Sequence, residues 1–189
     1  MAKDPSEIVI GANGSIYTAP LGSPIPANIT APLGGAWVEL GYASEDGVTW
    51  VDGKSLQSIR AWQSFYDLRR IVTSKEGSLA FSLMQWNGNT VRLAFGGGEV
   101  TEPAPNAYRY TPPDPQDIDE RMLAVEWEDG DHDFRLVFPK GMVSDNVEVN
   151  IVRTAAGLLP ITFALLGSAE LEPFILDTNH PAFEDTQGS

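Results

Sequence analysis

Cysteine is absent from the 189 residues, which excludes disulfides and thiolate metal sites outright. Histidine occurs only twice, as His132 and His180. Two cannot make a three-histidine zinc site, and neither has ligand-like spacing. A hydrolase triad would need one of them, and no Gly-x-Ser-x-Gly elbow is present to support it. Phosphate loops are missing too: Gly96-Gly97-Gly98 follows a predicted helix instead of preceding one, and there is no Gly-Lys-Ser/Thr. Positive charge is scarce. Twelve Lys and Arg stand against twenty-six Asp and Glu, giving a net charge of −14 and a pI near 4.3. Affinity for DNA comes largely from cations that neutralise phosphates, so this balance excludes a DNA-holding protein, though it suits one that touches DNA without gripping it. Long apolar runs are absent as well. The longest, 157–167, spans eleven residues, well short of the roughly 20 that cross a bilayer as a helix. The start, Met1-Ala2-Lys3-Asp4-Pro5, shows no apolar segment of a secretory signal, so synthesis in the cytoplasm is expected.

What remains is a chain with 42% hydrophobic residues, enough for one sizeable core and short for two. Its periodicity is mostly of strand type. Ile8-Val9-Ile10 and Ile16-Tyr17 flank Asn13-Gly14, a dipeptide suited to a tight hairpin turn. Residues 20–35 hold four prolines and three glycines and suggest an extended arm. A strand over 36–42 is expected to meet a turn at 44–47, with another strand at 48–51. A second pair is expected over 67–73 and 78–85, turning at 74–77; in its second arm Leu79, Phe81 and Leu83 alternate with small residues. The one helix expected is short, capped by Asn87 or Asn89 and stopped by Gly96-Gly97-Gly98. Residues 99–119, with five prolines, suggest a surface crossing.

The third hairpin is the clearest. Residues 121–128 and 131–138 flank Asp129-Gly130, which fits a two-residue type I′ turn. That register puts Trp127 opposite His132, Val125 opposite Phe134 and Leu123 opposite Leu136. The other face then pairs Glu128 with Asp131 and Glu126 with Asp133. Like charges opposed across a strand pair disfavour it by up to ~1 kcal/mol. Glu126, Glu128, Asp131 and Asp133 therefore form either a solvated outer face or an acidic wall facing a channel. The run Asp129-Gly130-Asp131-His132-Asp133 also looks like the start of a calcium loop, but Phe134 stands where glycine is needed and Lys140 where glutamate is needed. A fourth strand pair is expected over 143–152 and 158–166, followed by an acidic tail with Phe174, Ile175 and Phe183 as anchors. Among the five tryptophans, Trp37, Trp86 and Trp127 fall in apolar patterns and are expected in the core. Trp50 lies in a polar stretch and suits core and subunit contact equally. Together these features predict a mainly β fold: a β-sandwich or partly closed barrel with one short flanking helix.

The order of certain segments carries more. Gly14-Ser15-Ile16-Tyr17-Thr18-Ala19-Pro20 leads into the Pro/Gly-rich arm; Trp37-Val38-Glu39-Leu40-Gly41-Tyr42 runs into Glu45-Asp46-Gly47-Val48; then come Ile59-Arg60-Ala61-Trp62-Gln63, an apolar hairpin and the short helix. From about Ile8 to Phe183 the chain resembles the major tail tube proteins of long-tailed, non-contractile bacteriophages, especially those infecting actinobacteria. The resemblance implies one tail-tube domain over 1–189, with an N-terminal arm at 1–7, a stacking loop at 43–58 and a C-terminal tail at 168–189. It leaves no room for the immunoglobulin-like domain that some relatives carry. It implies rings, hexameric in the family, that stack into a tube in the virion tail, built around a tape-measure protein and joined to terminator and tip proteins. DNA passes through the lumen without specific binding. Glu126, Glu128, Asp131 and Asp133 then become candidates to line the lumen, and Asp46, Trp50 and Lys54 candidates for ring stacking. The two arms are candidates to clasp neighbours. No enzyme activity, cofactor or metal is expected. The rival expectation is a carbohydrate-binding β-sandwich using Trp50, Trp62 or Trp86 as sugar platforms.

Overall fold

The computed structural model describes residues 4–168 and 170–184. The parts of the N-terminal arm at 1–3 and of the C-terminal tail at 169 and 185–189 lie outside the described residues. The strands are β1 (Ala12–Pro20), β2 (Val38–Glu39), β3 (Ala43–Ile59), β4 (Arg69–Leu83), β5 (Glu99–Ala104), β6 (Ala107–Thr111), β7 (Arg121–Asp129), β8 (His132–Val143), β9 (Leu159–Leu165) and β10 (Ile175–Thr178), with one α-helix, α1 (Gly88–Ala94). Seven strands run in the order β2-β1-β7-β8-β9-β4-β3, all neighbours antiparallel, and β10 adds to β8. The mainly β fold with one short helix is as the sequence predicts.

The sheet is curled on itself. Ile16 and Leu40, at one end of the strand order, share a buried cluster with Leu79, Phe81 and Leu83 at the other end. Its two outermost strands, β2 and β3, are separated in the chain by only Leu40, Gly41 and Tyr42. Leu40 N donates to Ile16 O at 2.8 Å, while Met84 N donates to Tyr42 O at 2.8 Å. Within three residues the chain therefore crosses from one edge of the sheet to the other, and the barrel is partly closed by covalent continuity. Gly41 makes the corner at φ +79°, a conformation that glycine adopts without steric cost. Helix α1 covers the same core with Leu93 and Ala94. Its cap is Asn87, whose side chain accepts from Asn89 N and Thr90 N in a capping box with Thr90.

A second, smaller cluster lies on the outer face, where Ala19, Trp37, Met122, Ala124 and Val137 are buried beneath Ile25 and Leu33 of the Pro/Gly-rich segment. That segment is thus a cover, not a free arm. Trp37 Nε1 donates to Pro24 O at 3.0 Å. Because β7 is covered on both sides, Met122-Leu123-Ala124-Val125 is buried throughout, and its apolar run needs no alternation.

Several expected turns are absent, because glycine-containing segments also serve as bulges or simply continue a strand. Asn13-Gly14 makes no hairpin. Asn13, at φ 50°, sits in an irregularity of β1 between Ala12 and Ser15, and Ile8 and Ile10 lie outside any strand and exposed. Residues 44–47 interrupt the β3–β4 register as a bulge, and 74–77 are ordinary ladder positions. The segment 43–58 is therefore strand, not loop. The strand expected over 36–42 shrinks to two residues. Residues 99–119 contain the β5–β6 hairpin, with Asn106 at φ 59° in its turn. Residues 144–152 form no strand, although Val147 and Val149 still pack on the core. The tail, expected as loop, contributes β10.

The β7–β8 hairpin forms, two residues out of the expected register. Its loop is Gly130-Asp131, closed by Asp129 opposite His132. Only Gly130 takes positive φ, at +60°, which suits the first central position of a type II′ turn instead of type I′. Trp127 then faces Phe134, Val125 faces Leu136 and Leu123 faces Phe138. A slip of two preserves the faces, so the expected inward set is still inward.

Candidate assembly surfaces

The β3–β4 pair outgrows the barrel. Up to Trp50 opposite Leu79 its inner face belongs to the core, whereas beyond Val51 and Ser78 the ladder continues to Ile59 opposite Arg69 with little covering it. Val51, Leu56, Ile59, Leu68, Ile71 and Val72 are all exposed there, and at the tip Trp62 is 98% exposed, with Phe65 and Tyr66 similarly open. A two-stranded ribbon is marginal by itself, and its exposed apolar side chains, which alternate onto both faces, mark it as an interaction site. The tip has its own scaffold. Asp67 accepts from Ser58 Oγ at 2.7 Å, Arg60 Nε at 2.7 Å and Arg70 Nε at 3.0 Å. Ser58, then the two guanidinium groups, hold its carboxyl down to about 2. Midway along the ribbon Lys54 stands opposite Lys75, and neither forms an ion pair among the described residues.

The four acids of the β7–β8 hairpin part company. Glu126 faces Arg135, whose Nε donates to Glu126 Oε1 at 2.5 Å. Arg135 is 3% exposed and also donates to Asn28 O and Ile29 O. This clamp ties the outer cover to the sheet. Glu128 and Asp133 face one another and are exposed, as is Asp131 in the turn. Asp133 Oδ2 accepts from Asn179 Nδ2 at 3.4 Å. The expected pairs, Glu126 with Asp133 and Glu128 with Asp131, are replaced by one ion pair and one true like-charge pair.

A cleft of about 1000 Å³ opens beside the Gly41 corner. Val48, Trp50, Val125 and Trp127 give it an apolar floor, and Glu39 and Glu45 stand on its rim. Trp50 is 39% exposed and packs edge-on against Phe174 at 4.7 Å and Phe138 at 6.1 Å, so it is both core and surface. Asp46 is exposed next to the rim, and its Oδ2 accepts from Ser44 Oγ at 3.5 Å. The three stacking candidates thus divide: Asp46 and Trp50 lie at the cleft, Lys54 on the ribbon.

Three expectations about aromatic and histidine side chains fail. Trp86 is 47% exposed, and its Nε1 donates to Gly157 O at 2.8 Å; it is not core. His132 does not sit across from Trp127, where Phe134 stacks instead at 5.3 Å. It lies 4.4 Å from His180. His180 is buried, accepts from Ala182 N through Nδ1 at 3.1 Å and reaches Ser6 O through Nε2 at 3.0 Å. Of the expected tail anchors, Phe174 and Ile175 pack against the two clusters while Phe183 is largely exposed. Phe65 and Tyr66, beside Trp62, make an exposed aromatic tip that no expectation covered. Their signal was Trp62, Phe65 and Tyr66 within five residues, flanked by Arg60, Arg69 and Arg70.

Residues 1–182 match the family model described as phage tail tube protein. The chain belongs to that family. This tail tube protein is accordingly a structural component of the virion tail, a major tail protein that assembles with its own copies into a tube. No curated protein matches it significantly. Among the described residues, no helix is long and apolar enough to cross a membrane, and no group of three His, Asp or Glu side chains converges on a metal position.

Proposed function

We propose that copies of this chain close into rings, six to a ring, and that the rings stack into the tube of a long-tailed, non-contractile phage of actinobacterial type. Its role is mechanical, not enzymatic. The observation that carries this reading is the β3–β4 ribbon, whose apolar residues are left exposed among the described residues and whose outer strand β3 ends the strand order with an edge that no described strand pairs. An uncovered edge and an uncovered apolar surface are both satisfied by sister copies, and ring closure removes edges that would otherwise pair at random. Segment 43–58, with Asp46, Trp50 and Lys54, stacks one ring on the next.

In this reading Glu128, Asp131 and Asp133 face the bore, where exposed carboxylates repel phosphates and the genome slides during ejection. Glu126 contributes less, because Arg135 neutralises it. The tape-measure protein occupies the bore during assembly, and terminator and tip proteins finish the ends. The N-terminal arm and C-terminal tail clasp neighbouring copies. Carbohydrate binding has weaker support: Trp50 packs edge-on among phenylalanines and Trp86 is bonded to Gly157, which leaves Trp62, 98% exposed at the ribbon tip. Negative-stain microscopy of the purified, concentrated protein tests the assembly. Rings or tubes are expected; strictly monomeric particles at every concentration would overturn it.

A further inference from the structure

The charge of this chain is unevenly distributed. Residues 54–75 hold five of the twelve Lys and Arg against the single acid Asp67, a net +4; the remainder holds seven against twenty-five, a net −18. The positive segment is the projecting part of the ribbon, and its end combines cations with the most exposed aromatics of the molecule. Arg60 and Arg70 share one carboxylate, Asp67, and Arg69 forms no ion pair among the described residues. The cleft offers the opposite chemistry: an apolar floor containing Trp50 and Trp127, and a rim carrying Glu39 and Glu45, with Asp46 beside it.

We propose that the ribbon tip, with Trp62, Phe65 and Tyr66 leading, seats in this cleft on a second copy of the chain, its arginines against the rim acids. The inference rests on the tube reading and names the receptor for its stacking contact. The tip cannot fill its own cleft. From Trp50, in the cleft wall, to Ile59 the strand pairs with β4 in near-continuous register, and nine residues at ~3.3 Å each carry the tip about 30 Å away. Bending back would break that ladder. Tip and cleft are different surfaces, so the contact is head-to-tail, and contacts of this kind grow open-ended unless a rotation closes them. Each subunit then has one donor and one acceptor surface, and a stack built this way has a direction.

The test uses the full chain with a photo-reactive phenylalanine analogue at position 62 or, separately, 66. Irradiated tubes are expected to give intermolecular cross-links mapped by mass spectrometry to 9–16, 39–50, 85–87 or 125–127 of another copy. Tubes whose cross-links fall only elsewhere, on foreign protein or within one copy overturn the receptor assignment and leave the tube reading intact. Failure to self-associate at all overturns both. As a second measurement, Arg69→Glu is expected to raise the concentration needed for tube growth about tenfold with unchanged circular dichroism, and Glu45→Arg in the same chain to restore it, since complementary charges set such contacts. Arg69→Glu tubes forming at the normal concentration, or no recovery with Glu45→Arg, would overturn the electrostatic pairing.

Discussion

Asp67 shows how one carboxylate organises an otherwise unsupported tip. Its partners are Ser58, Arg60 and Arg70, so it pins both strands and the loop between them. Its folded-state pKa is depressed to about 2 from an ordinary 3.8. The order it contributes is therefore complete above about pH 4 and disappears as pH falls through about 2. Protection factors of amides in 58–70, taken relative to the intrinsic exchange rate at each pH, are expected to hold from pH 8 to 4 and to fall as pH drops towards 2. Asp67→Asn should show low protection factors throughout, with no acid transition. Gly41 is the residue whose substitution should harm the fold most directly. At φ +79° a side chain is strained, and an added Cβ would collide with the Gln85 carboxamide that accepts from Tyr42 N. Gly41→Ala is expected to destabilise by roughly 1–2 kcal/mol, lowering Tm by about 3–8 °C in calorimetry.

At the scale of elements, the outer cover over 20–35 is held by apolar contacts and by one charged clamp. Arg135 lies almost wholly buried between Glu126 and the carbonyls of Asn28 and Ile29. Removing one partner of a buried pair leaves the other charge stranded, which is worse than lacking both. Glu126 is partly solvated, so water offsets some of the loss. Glu126→Ala is therefore expected to destabilise by about 2–3 kcal/mol, and limited proteolysis should find new cuts in 20–35 before the sheet unfolds. The same clamp explains why an acid expected on an open face is not free. The expected hairpin register was two residues off, and correcting it replaces Asp133 with Arg135 opposite Glu126. A ladder slip that leaves the apolar face untouched can therefore rewrite the electrostatics of the other face.

For the whole molecule the informative acids are those without cations. Glu128 and Asp133 oppose each other across the strands, an arrangement that disfavours the isolated hairpin by up to ~1 kcal/mol. Replacing both with Lys keeps a like-charge pair, so hairpin stability should change little, whereas in the proposed arrangement it would give the bore groups that grip phosphate. Assembled tubes carrying both substitutions are expected to eject DNA more slowly, with the delay shrinking as salt rises. Ejection at the normal rate from intact mutant tubes would remove these residues from the bore. An unchanged Tm for the variant, measured alongside ejection, separates this effect from a damaged fold.

Composition and local pattern alone determined the class of this protein: the lack of cysteine, the acidic balance, the alternation along 79–83 and the apolar strand runs either side of Asp129-Gly130 are all read from the sequence. The helix was legible because its cap and stop are local, at Asn87 and Gly96-Gly97-Gly98. Turns were the weak point, since the same glycines serve hairpins and bulges, and only the partner strand decides between them. Tertiary structure alone decided that the sheet closes through Gly41, that Arg135 neutralises Glu126, and that 54–75 projects as a cationic, aromatic ribbon. Each of these depends on residues brought together from distant parts of the chain, and no local pattern records which neighbours the curl of a sheet will supply.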